Sequence, residues 1–355
     1  MKILTINSGS SSIKYQLFDM PKAKIIKKGI IDKIGEQGSR IKNHHEGIKI
    51  ILKDVDGVAA VGHRVVHGAD KFIKPTLINK RVIAKIKQCS RLAPLHNPAN
   101  LTGILACKKL LKNIPQVAVF DTAFHHSLPD FAYTYGLPYE FCKKLGIRKY
   151  GFHGTSHEYV AGEAAKRLRR PLKKLRIITC HLGNGCSIAA VKFGKSVDTS
   201  MGLTPLEGLL MGTRSGDLDP AVVIYLESRL KLSLEKIDDI LNKRSGLLGV
   251  SGVSNDMRKL QIAAKKGNRR ARLAIEMFIY RIRKYIGAYI ATLGGLDAVV
   301  FTAGIGENQS QIRKKICAGL FSNFKIKPKI LTIPTKEELM IARQTYHLIR
   351  GKRNG

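Results

Sequence analysis

The sequence predicts an α/β protein of two similar halves, and three observations carry that expectation. Apolar runs of strand length alternate with longer helical patterns, the arrangement that layers helices on sheets. A strand–turn–strand unit opens the chain and recurs: Ile3-Leu-Thr-Ile6, Asn7-Ser-Gly-Ser-Ser-Ser12 and Ile13-Lys-Tyr-Gln-Leu-Phe18 are echoed by Ile177-Ile-Thr-Cys180, His181-Leu-Gly-Asn-Gly-Cys-Ser187 and Ile188-Ala-Ala-Val191. Such an echo points to duplication. Finally, 355 residues is long for one core, so two domains are the default.

The elements follow in order. Between the two hairpins, helical patterns run at about 79–89 and 97–112, and a buried strand at 116–120. Residues 156–170 read as a helix with Thr155 or Ser156 as its cap and Pro171 as its stop. Further helices are expected near 219–230, 233–243, 254–266 and 268–292. The strand 298–302 closes in a small-residue turn, 303–308, and the strand 329–333 and a helix 336–348 finish the pattern. The stretch 198–217 fits neither period. Met201, Leu203, Leu206, Leu209, Leu210 and Met211 make it too apolar for disorder, so it reads as an ordered, glycine-jointed segment that presents Arg214 to an anion.

Composition removes several classes. Hydrophobic content of 44% and charged content of 25% are ordinary for a soluble globular protein. The apolar runs are far too short to span a membrane, and the N-terminus enters a strand without a cleavage pattern, so a cytoplasmic location is expected. Cys89, Cys107, Cys142, Cys180, Cys186 and Cys317 lie scattered with no Cys-x-x-Cys pair, which suits reduced packing residues better than zinc or disulfides. The net charge of +36 is extreme. It is compatible with nucleic-acid binding, but basic residues run through every segment and no nucleic-acid motif accompanies them. The charge reads as a general surface property that would also attract anionic substrates.

The motifs point to phosphate chemistry. No Gly-x-x-x-x-Gly-Lys-Ser/Thr occurs, so this is not a P-loop protein. Three apolar strands nevertheless run into small-residue turns, 7–12, 181–187 and 303–308, where backbone amides can approach phosphate oxygens. His153 and His157 have the spacing of a metal pair, but Gly154 and the expected cap set them apart. His153 is better placed for catalysis, with Phe152 packing beside it. Gly62-His-Arg-Val-Val-His-Gly68 follows an apolar strand and offers Arg64 as an anion ligand or a surface-turn residue. Asp121 ends the strand 116–120, a place for ligand-binding carboxylates or for a helix cap. The proline-broken stretch 92–98 reads as a shaped wall.

Together these residues resemble the acetate kinases, of the acetate and sugar kinase/Hsp70/actin superfamily. The likeness runs through Asn7 to Lys14, Gly62 to Gly68, Leu92 to Asn97, Phe120 to His125, Tyr150 to His157, His181 to Ser187, Asp198 to Pro220, Gly304 to Asn308 and Pro334 to Glu338. It spans nearly the whole chain in family order, while the stretches 19–62 and 309–333 look shortened. The resemblance implies two duplicated ribonuclease H-like domains of the actin/Hsp70/sugar kinase type with an active-site cleft between them. The expected domains are 1–149, joined by a C-terminal helix 338–355, and a nucleotide-binding domain 150–337.

It also implies a reaction: reversible transfer of the γ-phosphoryl of ATP to acetate, giving acetyl phosphate and ADP, with Mg²⁺, or Mn²⁺ as its substitute. Propionate or butyrate is the alternative acid. By the same resemblance Asp121, His153 and Arg214 are catalytic, with Asp121 alternatively orienting an arginine. Arg64, Val66, Leu95, Phe152 and Pro205 bind the acid beside His96. Asn7 and Glu337 serve the metal. Ser10, Ser12 and Lys14 lie near the phosphates. His181, Leu182, Gly183, Asn184, Gly185, Asp256, Met257, Arg258, Gly304, Ile305, Gly306, Glu307 and Asn308 form the nucleotide segments. A homodimer is implied; a membrane or nucleic-acid partner is not.

Overall fold

The computed structural model describes residues 1–94, 96–325 and 327–353. Eleven strands form two sheets among these residues. The first contains β1 (Lys2–Ser8), β2 (Ile13–Asp19), β3 (Lys24–Ile31), β4 (Ala60–Val65), β5 (Thr76–Leu77) and β6 (Gln116–Phe120), in the order β3-β2-β1-β4-β6-β5. The second contains β7 (Arg176–Leu182), β8 (Cys186–Lys192), β9 (Lys195–Thr199), β10 (Ala298–Thr302) and β11 (Lys329–Thr332), in the order β9-β8-β7-β10-β11.

The echo in the sequence is an echo in topology. In each sheet three antiparallel strands form a meander, one later strand joins the first of them in parallel, and a second extends that strand in parallel. Only the two-residue β5 breaks the correspondence. By its contacts the chain divides into one unit of residues 1–126, 154–159 and 336–355 and a second of residues 127–153 and 160–335. Residues 127–149, expected with the first domain, thus pack with the second, while 154–159 pack with the first.

Strands β1 and β6 are buried along almost their whole length, because helices cover both faces of the first sheet. On one face, Leu4, Ile6, Ile13, Leu17 and Val61 meet Ile48 and Ile51 of the helix His44–Lys53 and Ala106 and Cys107 of the helix Asn97–Leu110. On the other, Ala60, Val117 and Val119 meet Ile341 and Ile349 of the helix Glu337–Arg353. In the second unit the helix Arg269–Leu293 buries Ala271, Ala274, Ile275, Phe278, Ile282, Ile286, Tyr289 and Leu293. That is the three-and-four spacing of one apolar stripe, and it packs against β7 and β8.

Several local expectations are corrected. The segment 303–308 is a short helix, Ala303–Asn308, because Glu307 folds back and accepts the Ala303 N–H at 2.8 Å. The helix expected from 156 begins at Gly154, with His153 rather than Thr155 or Ser156 in the capping position; the Gly154 N–H donates instead to the Asp121 carbonyl at 2.9 Å. Arg64 lies inside β4, not in a turn after it. The pattern 233–243 divides into a helix Leu234–Asp239 and a π-helical turn. Strand β3 escaped the sequence pattern because it is an edge strand, exposed along most of its length.

Gly62 shows how closely the last helix packs. A Cβ there would lie 2.5 Å from Thr345 Oγ1 and 2.8 Å from Ile341 Cγ2. Gly62→Ala is therefore expected to force the helix Glu337–Arg353 off β4 at a cost of about 1–3 kcal/mol. Urea unfolding would show it as a lowered midpoint, and an unchanged midpoint would mean that the helix shifts without cost.

Candidate active site

In the first unit the side chains singled out in the sequence sit where parallel strands end, the usual ligand edge of α/β sheets. Register places Ile6 of β1 beside His63 of β4, and Val65 of β4 beside Phe120 of β6. Asn7, Arg64 and Asp121 are thus brought to one edge. Arg64 grips Asp121 bidentately, with Nε at 3.1 Å from both carboxylate oxygens and Nη2 at 2.6 Å from Oδ2. Asp121 is 1% exposed. Burial works against the Arg64 charge, but Asp121 and Glu337 outweigh it and hold its pKa above that of ordinary arginine. Glu337 opens the last helix. Burial pushes its carboxyl up to about 7; Arg64 and Lys14 oppose the rise, while Asp121 and Glu338 add to it.

The turn after β1 is held from below. Gly9 N–H closes it on the Ser12 carbonyl at 2.8 Å, and His44 Nε2 meets the Gly9 carbonyl at 2.7 Å. Lys14 stands opposite Asn7 in the β1–β2 register, and Ser10 and Ser12 occupy the turn itself. Sequence reading missed the residues that tie this turn to Val66. Asn100 donates from Nδ2 to the Ser8 carbonyl at 2.7 Å and accepts the Val66 N–H at 3.0 Å. Asn97 brackets His67 in the same way, at 3.0 and 2.9 Å. The pair at the start of a helix was the available signal. Val66 is buried, His96 precedes that helix, and Leu95 lies outside the described residues.

The second unit gathers a different set. His153 has a left-handed backbone, φ 57°, a strain of about 1–2 kcal/mol for a residue with a Cβ. Its Nδ1 pairs with Ser187 Oγ at 2.8 Å, and its ring stacks on His181 at 4.1 Å. A Cβ at Gly185 would lie 3.4 Å from Arg214 Nη1 and 3.5 Å from His153 Cε1, so guanidinium and imidazole converge on this backbone position. Phe152 is buried, and the Pro205 carbonyl lies 3.5 Å from Arg214 Nη1. Arg214 makes no ion pair among the described residues. Burial lowers its pKa, which leaves a recessed cation in want of an anion.

Beside it, a cavity of about 500 Å³ is lined by Gly183, Asn184, Asn255, Asp256, Met257, Arg258, Gly304, Ile305, Asn308 and Gln309. Asn184 joins cavity to arginine segment: its carbonyl accepts the Gly212 N–H at 2.9 Å, and its Oδ1 accepts from Asn255 Nδ2 at 3.1 Å. Asp256 caps the helix Met257–Lys265 and holds Arg258. Asn255 and Gln309 are additions to the expected set. Leu182, by contrast, is fully buried in β7, and Gly306 is buried. Glu307 turns inward, accepting from Ala303, Thr302 and Thr335.

Among the described residues no group of three or more His, Cys, Asp or Glu could hold a metal. A cation beside Asn7 and Glu337 would draw most of its ligands from phosphate oxygens and water, which suits magnesium. No helix of the described residues is long and apolar enough to cross a membrane.

Comparisons with known proteins identify the family. The model of the acetokinase family matches residues 2–56 and 46–326. An acetate kinase of Halothermothrix orenii is 51% identical over 398 aligned positions, covering 99% of this chain and all of that protein. One of Treponema denticola is 50% identical with the same coverage. Among solved structures, an acetate kinase of Porphyromonas gingivalis superposes with a TM-score of 0.91 at 44% identity, over 98% of this chain and 99% of that one. A propionate kinase of Francisella tularensis does so with 0.92 at 44% identity and the same coverage. The fold is therefore that of the two-domain acetate kinases, and the chain belongs to the acetokinase family.

Proposed function

We propose that the chain catalyses reversible, magnesium-dependent transfer of the γ-phosphoryl of ATP to acetate, giving acetyl phosphate and ADP. One observation carries the reading beyond family membership: Arg214, recessed and without a carboxylate partner among the described residues, lies beside His153 and next to a cavity of nucleotide size. Acetate has a pKa of about 4–5 and is ionised at neutral pH, so the reaction needs no general base. Its difficulty is bringing one anion to another and stabilising charge spread over the transferring group.

The residues divide that task. Arg214 neutralises the phosphoryl in flight. In the tautomer in which the Ser187 hydroxyl donates to Nδ1, His153 would donate a hydrogen bond from Nε2 to the same group. Asp121 orients Arg64 through Nε and Nη2, which leaves Nη1 to hold the acid. Ser10, Ser12 and Lys14 meet phosphate oxygens, and the cavity receives the nucleoside. Asn7 and Glu337 hold magnesium, which supplies charge neutralisation across the phosphates. Val66, Phe152 and Pro205 contact the methyl group. The working form is proposed to be a cytoplasmic homodimer; the helix Ala221–Leu230 buries none of its residues and exposes Ile224, Tyr225 and Leu230, as a helix awaiting a partner does.

Three measurements test this. Arg214→Ala is expected to lower kcat by about 10²–10³-fold, and a variant with wild-type turnover would remove Arg214 from the mechanism. Protons and metal compete for Glu337, whose carboxyl stands at about 7. Above that pH it is ionised and free to ligate, and below it protonation intervenes, so the magnesium requirement should rise as pH falls through about 7. Glu337→Gln should need more magnesium at every pH and show no such slope; a titration that overlays the wild type would make Glu337 structural. Val66→Ala opens space beside the acid, and should improve propionate relative to acetate in kcat/KM by up to about 10-fold. An unchanged ratio would take Val66 out of the acid site, and a wild type preferring propionate would shift the substrate assignment to the acid of the Francisella relative.

A further inference from the structure

Residues 200–217 carry Arg214 and form neither helix nor strand, yet their backbone is closed into a ring. The Gly208 N–H donates to Asp217 Oδ1 at 2.8 Å, and the Asp217 N–H donates to the Gly208 carbonyl at 2.9 Å. Gly208 and Gly216 have φ of 107° and 68°. A Cβ at Gly208 would strike the Ser200 carbonyl oxygen at 2.4 Å, and one at Gly216 the Leu209 carbonyl oxygen at 2.3 Å. The ring therefore tolerates only glycine at these corners. Its one remaining carboxylate oxygen, Asp217 Oδ2, accepts the Tyr285 O–H at 2.7 Å.

Tyr285 belongs to the 25-residue helix Arg269–Leu293, with its ring edge-on to Tyr289 at 5.7 Å. That helix packs on the second sheet, so the phenol is a fixed point. Among the described residues the Arg214 guanidinium itself reaches the Pro205 carbonyl at 3.5 Å and Met211 Sδ at 4.0 Å, so its aim is set through its backbone. That backbone is tied on one side to neighbouring segments, Gly212 N–H to the Asn184 carbonyl at 2.9 Å and Ser215 N–H to the Leu241 carbonyl at 3.0 Å. On the other side it is closed by the ring, where the Arg214 carbonyl accepts the Met211 N–H at 3.2 Å.

We propose that Tyr285, acting through Asp217, is a positioning residue that sets the aim of Arg214 from the long helix. The inference rests on the reading of Arg214 as the cation of the transferring phosphoryl group. Neither residue touches substrate. The effect should fall on turnover and not on nucleotide binding, since the cavity is built from other segments.

The test pairs kinetics with amide hydrogen exchange on the full-length protein, using Tyr285→Phe, Arg214→Ala and the double variant. Tyr285→Phe should lower kcat about 10-fold while KM for ATP stays unchanged, and exchange over 208–217 should accelerate. In the Arg214→Ala enzyme the same change should cost nothing further, because a positioning residue acts only through the group it positions. Equal losses in both backgrounds, or unchanged exchange over 208–217, would overturn the proposal. If Arg214→Ala keeps wild-type turnover, the reading of Arg214 fails and the positioning role falls with it, and exchange alone then decides whether the brace exists. Should Tyr285→Phe not fold, Asp217→Ala serves, in place of asparagine, whose amide could still donate to the phenol oxygen. It removes the acceptor of both the Gly208 N–H and the phenol, so a loss of kcat with faster exchange over 208–217 is expected, and wild-type kcat and exchange would refute the brace.

Discussion

The recessed guanidinium of Arg214 is the constraint around which the second unit is arranged. A cation withdrawn from water with no carboxylate against it is costly, and a flexible segment would relax it into solvent. The surroundings prevent that. Gly212 N–H is tied to the Asn184 carbonyl, and a Cβ at Gly212 would come within 2.0 Å of Asn184 Oδ1. Leu247 N–H is tied to the Met211 carbonyl and Ser245 N–H to that of Thr213. At the far side of the segment, Glu207 accepts from Tyr135 and Lys149. Gly212 makes room for the Asn184 side chain, and Gly208 and Gly216 for the backbone carbonyls of Ser200 and Leu209, while each hydrogen bond removes a way for the arginine to move.

Arg64 of the first unit and Arg214 of the second are held in opposite ways. Arg64 is saturated on one side by a buried carboxylate, which fixes its plane and lends it only part of a charge for a ligand. That suits a group asked to orient a small carboxylate without trapping it. Arg214 has no carboxylate partner among the described residues, and on the proposed reading its charge is kept for the phosphoryl group, the condition for raising turnover. The elevated pKa of Glu337 belongs to the same economy: three carboxylates gather at that edge, and a bound cation would relieve their mutual repulsion.

What the sequence revealed and what it concealed divides by distance along the chain. The strand–turn–strand echo was legible because each unit is local, and the helices at 80–89 and 269–293 because their apolar period is strong. Arg214 stood out because a glycine-rich, apolar stretch must be ordered to exist. The supports were hidden. Asn100 reaches Ser8 across 92 positions, and Tyr285 reaches Asp217 across 68; an asparagine or tyrosine on a helix has no pattern that names its partner. Glu307 misled for a related reason. It sits in a glycine-rich turn suited to phosphate, but its carboxylate is spent on the Ala303 and Thr335 amides.

The duplicated topology allows one scaffold to present two different sets of side chains at equivalent places. The β1–β2 turn and the β7–β8 turn occupy equivalent places, each between the first two strands of a meander whose first strand has a parallel neighbour. In the first unit the turn is lined by serines, with Lys14 opposite Asn7, so hydroxyls and a cation face the ligand. In the second it shrinks to Gly183-Asn-Gly185, which admits His153 and Arg214 close to the backbone. The parallel neighbours diverge too. Strand β4 brings Arg64 to the sheet edge, whereas β10 runs into the short helix at Ala303 beside the nucleotide cavity. The hydrogen-bond ladder fixes where a turn sits and leaves its side chains free, so the two halves can differ in the groups they present without any change in fold, as the proposed division of acid and metal from nucleotide and transferring group requires.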